Sequence, residues 1–372
     1  MRDTVRRKGL SRLHLDTGPV RPGEELNLAS LADWLRGRIA GAEQGITLEQ
    51  FPSGHSNLTY LLQMNGDGRE YVLRRGPLGP VAPKAHDMAR EFRVLQMVHP
   101  HFREAPNVFH LCEDTAVLGS VFFLMERRHG LILRDEIPPQ LAKMPNYAER
   151  ASKGFVDCLI RLHAIDISRT ALIALGKPEG FLERQVQGWA DRWKRATTDD
   201  RPKMDCVIRW LIDHRPSSPA PTLVHNDYKL DNVMLSEDSA ERIEIDAVLD
   251  WEMATVGDPL ADLGLTLCYW AWVDAPQLRA RGVPSLTSRP GWYTRDQFVQ
   301  RYAEGTGRDL SQIGYYEVLG IFKLAVILQQ IYYRFRRGQT QDARFQNFGD
   351  RVKGLVELAD SLIEYPKMGK ST

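Results

Sequence analysis

His225-Asn226-Asp227-Tyr228-Lys229-Leu230-Asp231-Asn232, with Asp250-Trp251-Glu252 beyond it, is the stretch whose reading decides the fold. Leu223-Val224 is a short apolar strand that ends at His225. Val233-Met234-Leu235 is a second, Ser236-Glu237-Asp238-Ser239 a turn, and Ile243 to Leu249 the returning strand. This spacing puts Asn232 and Asp250 at the two ends of one hairpin, where their oxygens can share a cation. Magnesium takes a few oxygen ligands and completes its shell with water and substrate phosphates. Asp227 precedes the hairpin and is left to face a substrate. The bland alternative is an Asx-rich loop whose side chains bond nearby backbone, but that reading does not account for the whole ordered set.

Phosphoryl transfer uses such a set, with one Asp to orient an acceptor hydroxyl and an Asn and an Asp to hold the metal. His225-x-Asp227-x4-Asn232, Asp250-Trp251-Glu252 and Gly257-Asp258-Pro259-Leu260-Ala261-Asp262-Leu263 together resemble the aminoglycoside phosphotransferase and choline kinase superfamily. The likeness is greatest to its broad bacterial phosphotransferase branch, related to the kinase-like domain fused to some acyl-CoA dehydrogenases, and covers roughly residues 28 to 355. The resemblance implies an α+β, protein-kinase-like bilobal fold: a small N-terminal lobe with an antiparallel sheet and one key helix, then a larger, mostly helical lobe. It also implies ATP, or GTP in its place, as phosphoryl donor, Mg2+ as cofactor and a small-molecule hydroxyl acceptor.

Composition sets the class. Hydrophobic content of 43% with 26% charged residues suits a globular protein with a sizeable core, and a net charge of +1 gives no case for nucleic acid or an anionic membrane as partner. Cys112, Cys158, Cys206 and Cys268 are scattered without CxxC spacing, as buried thiols of a reducing compartment are. No run of consecutive apolar residues approaches a membrane span. The basic N-terminus lacks the apolar segment of a signal peptide, and the simplest expectation is a cytoplasmic protein.

Along the chain, residues 1–26 read as a mobile leader, 27–128 as a nucleotide-binding lobe, and 129–372 as a helical lobe with the catalytic loop and acceptor site. Asn27 caps a helix carrying Leu31, Trp34, Leu35 and Ile39. Strands Thr59–Leu62 and Tyr71–Leu73 flank a hairpin turn at Asn65-Gly66-Asp67-Gly68. A helix over His86–Val98 and a strand over Val121–Met125 follow. Helical patterning then covers 147–166, 181–195, 204–213, much of 256–272, and 312–363.

Several residues are candidates for the nucleotide. In the Ser53-Gly54-His55-Ser56-Asn57 loop, backbone amides near Gly54, Ser56 and Asn57 suit phosphates; the bland reading is a polar strand-entry turn. Arg74 shares a strand face with Val72 and points a cation toward the phosphates where the family usually has Lys. Glu91 is its expected ion partner. Leu124-Met125-Glu126-Arg127-Arg128-His129-Gly130 matches the family's hinge between lobes, so adenine is expected against backbone groups of Glu126 and Arg128.

On the catalytic side, Asp227 is the base or hydroxyl-orienting residue, and Asn232 and Asp250 are the metal ligands. Lys229 is either a charge partner for the transferring phosphoryl group or a solvated lysine. His225 supports the loop; Asp258 and Asp262 are either extra metal ligands or, as the resemblance implies, a cap for the next helix and a tether for the catalytic loop. Arg334, Arg336, Arg337, Arg344, Arg351 and Lys353 make the C-terminal part basic, which disfavours a polycationic aminoglycoside acceptor and favours an anionic or neutral one, including a hydroxyacyl thioester of coenzyme A. The competing view of these side chains is a solvated helix face. The alternatives to this enzyme are an aminoglycoside kinase and a non-catalytic nucleotide-binding scaffold; Arg74 is the only sequence support for the scaffold.

Overall fold

The computed structural model of the chain describes residues 16–52, 57–77, 87–134, 136–199, 202–236, 243–270, 286–340 and 342–364. It divides into two compact units: Met1–Gln96 with Pro106–Arg128, and Met97–Ala105 with His129–Thr372.

The first unit is built on a five-stranded antiparallel sheet. Its strands are β1 (Ile46–Gln50), β2 (Leu58–Met64), β3 (Glu70–Arg75), β4 (Val108–Cys112) and β5 (Phe122–Glu126), in the order β1-β2-β3-β5-β4. Helix α1 (Leu28–Leu35) starts where Asn27 Oδ1 accepts the Ser30 amide at 3.1 Å, as its sequence predicts. It seats Leu31 and Leu35 against Tyr60, Leu62, Phe122 and Leu124. The helix ends at Leu35; Ile39 lies beyond it but still joins this core. Helix α2 (Met88–Val98) begins after Asp87, whose side chain accepts the Arg90 amide. Residues 16–26, read as leader, make regular contacts here: Gly18 and Gln50 exchange both backbone hydrogen bonds, and the Thr17 hydroxyl donates to Glu49. The rest of the expected leader, 1–15, lies outside the described residues.

The second unit is mainly helical. It contains α3 (Tyr147–His163), α4 (Phe181–Ala196), α5 (Pro202–Asp213), α6 (Pro259–Tyr269), α7 (Arg295–Thr306), α8 (Ile313–Arg336) and α9 (Phe348–Glu364). Two small sheets interrupt the helices. Strands β6 (Leu131–Ile132), β8 (Val233–Ser236) and β9 (Glu244–Val248) form one, in the order β6-β8-β9; β7 (Thr222–Val224) and β10 (Thr255–Gly257) form the other.

Two expectations are corrected. Helix α7 was not foreseen, although Thr294 and Gln297 form a capping box and Phe298 and Tyr302 are buried one turn apart. The helix expected over 312–363 is two helices, because the chain turns at Arg337 and at Gly338 (φ 69°). Helix α8 also qualifies the statement about membrane spans, since by length and mean composition its 24 residues are apolar enough to cross one. It is a core helix of this unit, with Leu319, Ile321, Phe322 and Val326 fully buried and Lys323 among them.

The crossing of α6 and α8 positions the site. A Cβ on Gly320 would fall 2.6 Å from the Gly264 carbonyl oxygen and 2.7 Å from Cys268 Sγ, so backbone meets backbone there. Helix propensity alone favours a side chain over glycine by up to about 1 kcal/mol. Overpacking against an unyielding carbonyl costs about 1–3 kcal/mol and wins for a branched residue. Gly320→Val is therefore expected to lower the urea midpoint with m unchanged; an equal or higher midpoint would contradict this close approach.

Candidate active site

Strand β7 ends at Val224, and the following four residues form a loop gripped from several sides. The Asp262 carboxylate, fully buried at the first turn of α6, accepts the His225 amide at 2.7 Å and the Asn226 amide at 2.8 Å. His163 Nε2, at 3.2 Å, donates to the same carboxylate, and His163 Nδ1 meets the Tyr302 hydroxyl at 2.7 Å. Burial pushes the Asp262 carboxyl up, but the His163 hydrogen bond and charge, with the His225 contacts, bring it below the usual value. Asp258 caps α6 by accepting the Leu260 amide and also accepts the Tyr316 hydroxyl at 2.8 Å. Tether and cap are thus as the resemblance implies.

The His225 ring ties this loop to the hairpin. Its Nε2 lies 3.0 Å from the Leu249 carbonyl, which can only accept, and its Nδ1 3.3 Å from the Asp227 amide, which can only donate. The ring is thereby fixed as the neutral Nε2–H tautomer, a support and not a second base. Asn226 adopts a left-handed backbone (φ 63°), as does Asp250 (φ 67°). Such conformations cost non-glycine residues about 1–3 kcal/mol each and persist where surrounding bonds over-determine them.

Asp227 follows with its side chain at the centre of a cluster. Lys229 Nζ lies 2.8 and 3.0 Å from its two carboxylate oxygens. Asn232 Nδ2 donates to the Asp227 carbonyl at 2.9 Å and to its carboxylate at 2.8 Å. The Tyr269 hydroxyl, at 3.5 Å, also donates to it. Burial draws the Lys229 ammonium down, but the charge and hydrogen bonding of Asp227, with the charges of Asp231 and Asp250, together outweigh this and raise its pKa, so the lysine is engaged with Asp227 and not simply solvated.

The two strands pair as the spacing predicts, while the expected turn beyond Ser236 lies outside the described residues. Val233 pairs with Val248, and the Leu249 amide donates to the Asn232 carbonyl at 2.7 Å, so Asn232 and Asp250 flank one backbone link. With Nδ2 committed twice to Asp227, Asn232 turns Oδ1 away from that carboxylate. An amide oxygen and a carboxylate make an all-oxygen donor pair, which fits a hard divalent ion that keeps water and phosphate ligands.

The first unit holds its own candidate residues. Arg74 Nε bonds Glu91 Oε2 at 2.9 Å, and the Glu91 side chain is 1% exposed. The Glu126 and Arg128 side chains pair at 3.0 Å, and the Glu126 amide donates to the Asn107 carbonyl at 2.8 Å. A hinge contact through Glu126 would therefore use its carbonyl oxygen. Asn57 is buried at the entrance to β2. Gly54 and Ser56 lie outside the described residues.

The basic C-terminal residues do not gather at Asp227. Arg344 is paired with Asp342, and Arg336, Arg337 and Arg351 each lie over a ring of their own segment, Tyr332, Tyr333 and Phe348 respectively. Arg334, Arg336, Arg337, Arg344 and Lys353 are exposed, as a solvated face is. Trp189, Trp193 and Trp270 are core residues, while Tyr269 reaches Asp227. Sequence reasoning missed His163 and Lys323; a lone lysine within Gly320-Ile321-Phe322-Lys323-Leu324-Ala325-Val326 was the available signal for the second.

Replacing Asp262 by Ala should cost about 3–5 kcal/mol, because it strands two buried amides and His163. The folded carboxyl lies below its unfolded value of 3.8, so its stabilisation is complete above that pH and fades as pH falls through the lower folded value. Urea unfolding of wild type and Asp262→Asn should accordingly converge as pH drops from 5 toward 2. A constant gap would refute the charged state.

Comparison with known proteins agrees with this geometry. The model of the phosphotransferase enzyme family matches residues 47–313. Mouse acyl-CoA dehydrogenase family member 10 is 34% identical over 353 residues, covering 93% of this chain but 32% of that protein, so the chain spans about a third of the length of this relative. A solved structure from Ralstonia eutropha JMP134, whose name proposes an aminoglycoside phosphotransferase, is 29% identical with a TM-score of 0.75, covering 91% of this chain and 99% of its own. Spectinomycin phosphotransferase, solved with ADP and spectinomycin, shares the fold at 13% identity and a TM-score of 0.55, covering 90% and 97%. The two units thus carry a protein-kinase-like fold, and the chain belongs to the phosphotransferase enzyme family of small-molecule kinases.

Proposed function

We propose that this chain moves the γ-phosphoryl group of ATP to a hydroxyl of a small neutral or anionic molecule. The observation that carries the reading is the cluster in which Lys229 and Asn232 both hold the Asp227 carboxylate while Asn232 is joined through Leu249 to Asp250. Asn232 Oδ1 and the Asp250 carboxylate would hold Mg2+, which when bound supplies positive charge to the nucleotide phosphates. Asp227 accepts a hydrogen bond from the acceptor hydroxyl and aims its oxygen at the γ-phosphorus. As the new O–P bond forms, the bond from that phosphorus to the bridging oxygen of ADP breaks, and the hydroxyl proton passes to Asp227 and then to solvent. A carboxylate is a weak base, so its contribution is chiefly orientation in a loose transition state. Lys229 balances the carboxylate and the incoming phosphoryl oxygens. Arg74, set by Glu91, takes the nucleotide phosphates, as lysine does in related kinases.

The acceptor class follows from the charges beside Asp227. Lys229, paired with Asp227, and the buried Lys323 stand there, so a polycation would meet like charges, whereas a neutral alcohol or an anion would not. The name of the mouse relative, an acyl-CoA dehydrogenase family member, supports hydroxyacyl-CoA thioesters as the first acceptors to try. Arg336, Arg337, Arg344 and Arg351 lend no support, each being engaged by its own neighbour.

A screen of hydroxyacyl-CoA species, neutral alcohols and aminoglycosides with ADP release as readout should give turnover with one of the first two classes; turnover with aminoglycosides alone would reverse the acceptor assignment. Asp227→Ala and Asp250→Ala are each expected to lower kcat by about 10²-fold or more, given the range for general acid–base groups. Arg74→Met should mainly raise KM for ATP, by about tenfold or more if one charge-assisted phosphate contact is lost. An unchanged KM would remove Arg74 from the nucleotide site.

A further inference from the structure

Helix α8 carries a lysine where its sequence is otherwise apolar. Lys323 is 3% exposed, between Phe322 and Ala325, both fully buried. Among the described residues it makes no ion pair. Its Nζ lies 3.5 Å from Asn226 Oδ1 and 5.7 Å from the centre of the Trp189 ring. At 3.5 Å the contact is long for a hydrogen bond, so attraction between a charge and an amide dipole in a dry site carries it. Burial pushes the ammonium down to about 8, with Arg192 of α4 adding to this. Asp262 and Cys268 of α6 and Asp227 of the loop pull the other way. Lys203 of α5 and Asp360 of α9 are paired with each other.

Asn226 is the residue that Lys323 reaches, and Asn226 is held at its backbone amide and at both side-chain polar atoms. Its amide goes to Asp262, its Nδ2 donates to the Met253 carbonyl at 3.2 Å, and its Oδ1 faces Lys323. It is left-handed and immediately precedes Asp227. A methionine at 323 would fill similar space without a buried charge. The lysine is therefore held against the preference of its surroundings, and what it touches is the turn that presents Asp227.

We propose that Lys323 is a positioning residue for phosphoryl transfer: its buried ammonium anchors the Asn226 side chain and so holds the turn from which Asp227 meets the acceptor hydroxyl. This rests on the phosphotransfer reading above. A residue kept for packing and one kept for positioning respond oppositely to Lys323→Met. Removing a buried charge should leave the melting temperature at pH 7 unchanged or higher. The depressed ammonium costs stability fully below pH 8 and progressively less toward the unfolded value of 10.5, so any gain should shrink by pH 10. In the same variant kcat should fall at least tenfold with KM for ATP within twofold, and Lys323→Arg should recover part of the loss.

The wild-type kcat should also decline above pH 8, with that limb absent from Lys323→Arg. A kcat within twofold of wild type in Lys323→Met, or a lower melting temperature with a parallel rise in KM for ATP, overturns the proposal. If wild type releases no ADP with any acceptor, the phosphotransfer reading fails separately, and NMR then decides the positioning claim. The Asn226 and Asp227 amide resonances should move through one transition near pH 8 in wild type and not in Lys323→Met. Amides that stay still in wild type overturn the proposal, and the same titration decides if Lys323→Met does not fold.

Discussion

The Asp262 carboxylate, closed off from solvent, is the interaction on which the catalytic loop depends. Two successive backbone amides and a histidine converge on it, which is why a group whose pKa burial alone would raise stays charged. Each donor belongs to a different constraint. The amides fix the chain path through His225 and Asn226. His163 brings α3 to the same point and passes the constraint to Tyr302 of α7, while the Thr222 hydroxyl of β7 donates to the His163 carbonyl. A loop of polar residues is thereby fixed by bonds from several elements, as a side chain that must orient a hydroxyl requires.

The hairpin depends on the loop in turn. His225 spans from the Asp227 amide to the Leu249 carbonyl, and the Leu249 amide returns to the Asn232 carbonyl. Asp250 therefore emerges from a fixed backbone point, and its left-handed conformation is imposed by bonds on the preceding residue. The two non-glycine left-handed residues of this region, Asn226 and Asp250, bracket the cluster. Strain of this kind collects where geometry is functional, offset by the packing that enforces it.

What the sequence revealed and what it hid follow from the range of the interactions. The loop, the hairpin and the Asn27 cap were legible because their residues are close in sequence and their turn chemistry is local. The Arg74–Glu91 pair, between a strand and a helix, was legible only because a family pattern linked them. The support from His163 was not, because it lies 99 positions from its carboxylate and nothing in α3 distinguishes it from a core histidine. Helix α7 was overlooked despite a local signal, the capping box at Thr294. The choice between the two readings of Arg336, Arg337, Arg344 and Arg351 was not legible, because a count of charges does not reveal that their own rings and Asp342 already engage them.

Arginine at position 74 is reasonable in these terms. A lysine has one nitrogen with which to hold Glu91 and, on the proposed role, to meet a phosphate as well. A guanidinium offers several nitrogens for the two tasks, and Nε is one that bonds Glu91. The Glu91 side chain, 1% exposed, would be costly to bury without a cation at hydrogen-bond distance, so the pair stabilises the first unit whatever it binds. The substitution exchanges a compact charge for a planar fork and keeps the ion pair. It argues for altered placement of the phosphates and not for loss of catalysis, because the groups that would act on the acceptor, Asp227 and Lys229, are held by a separate network of the second unit.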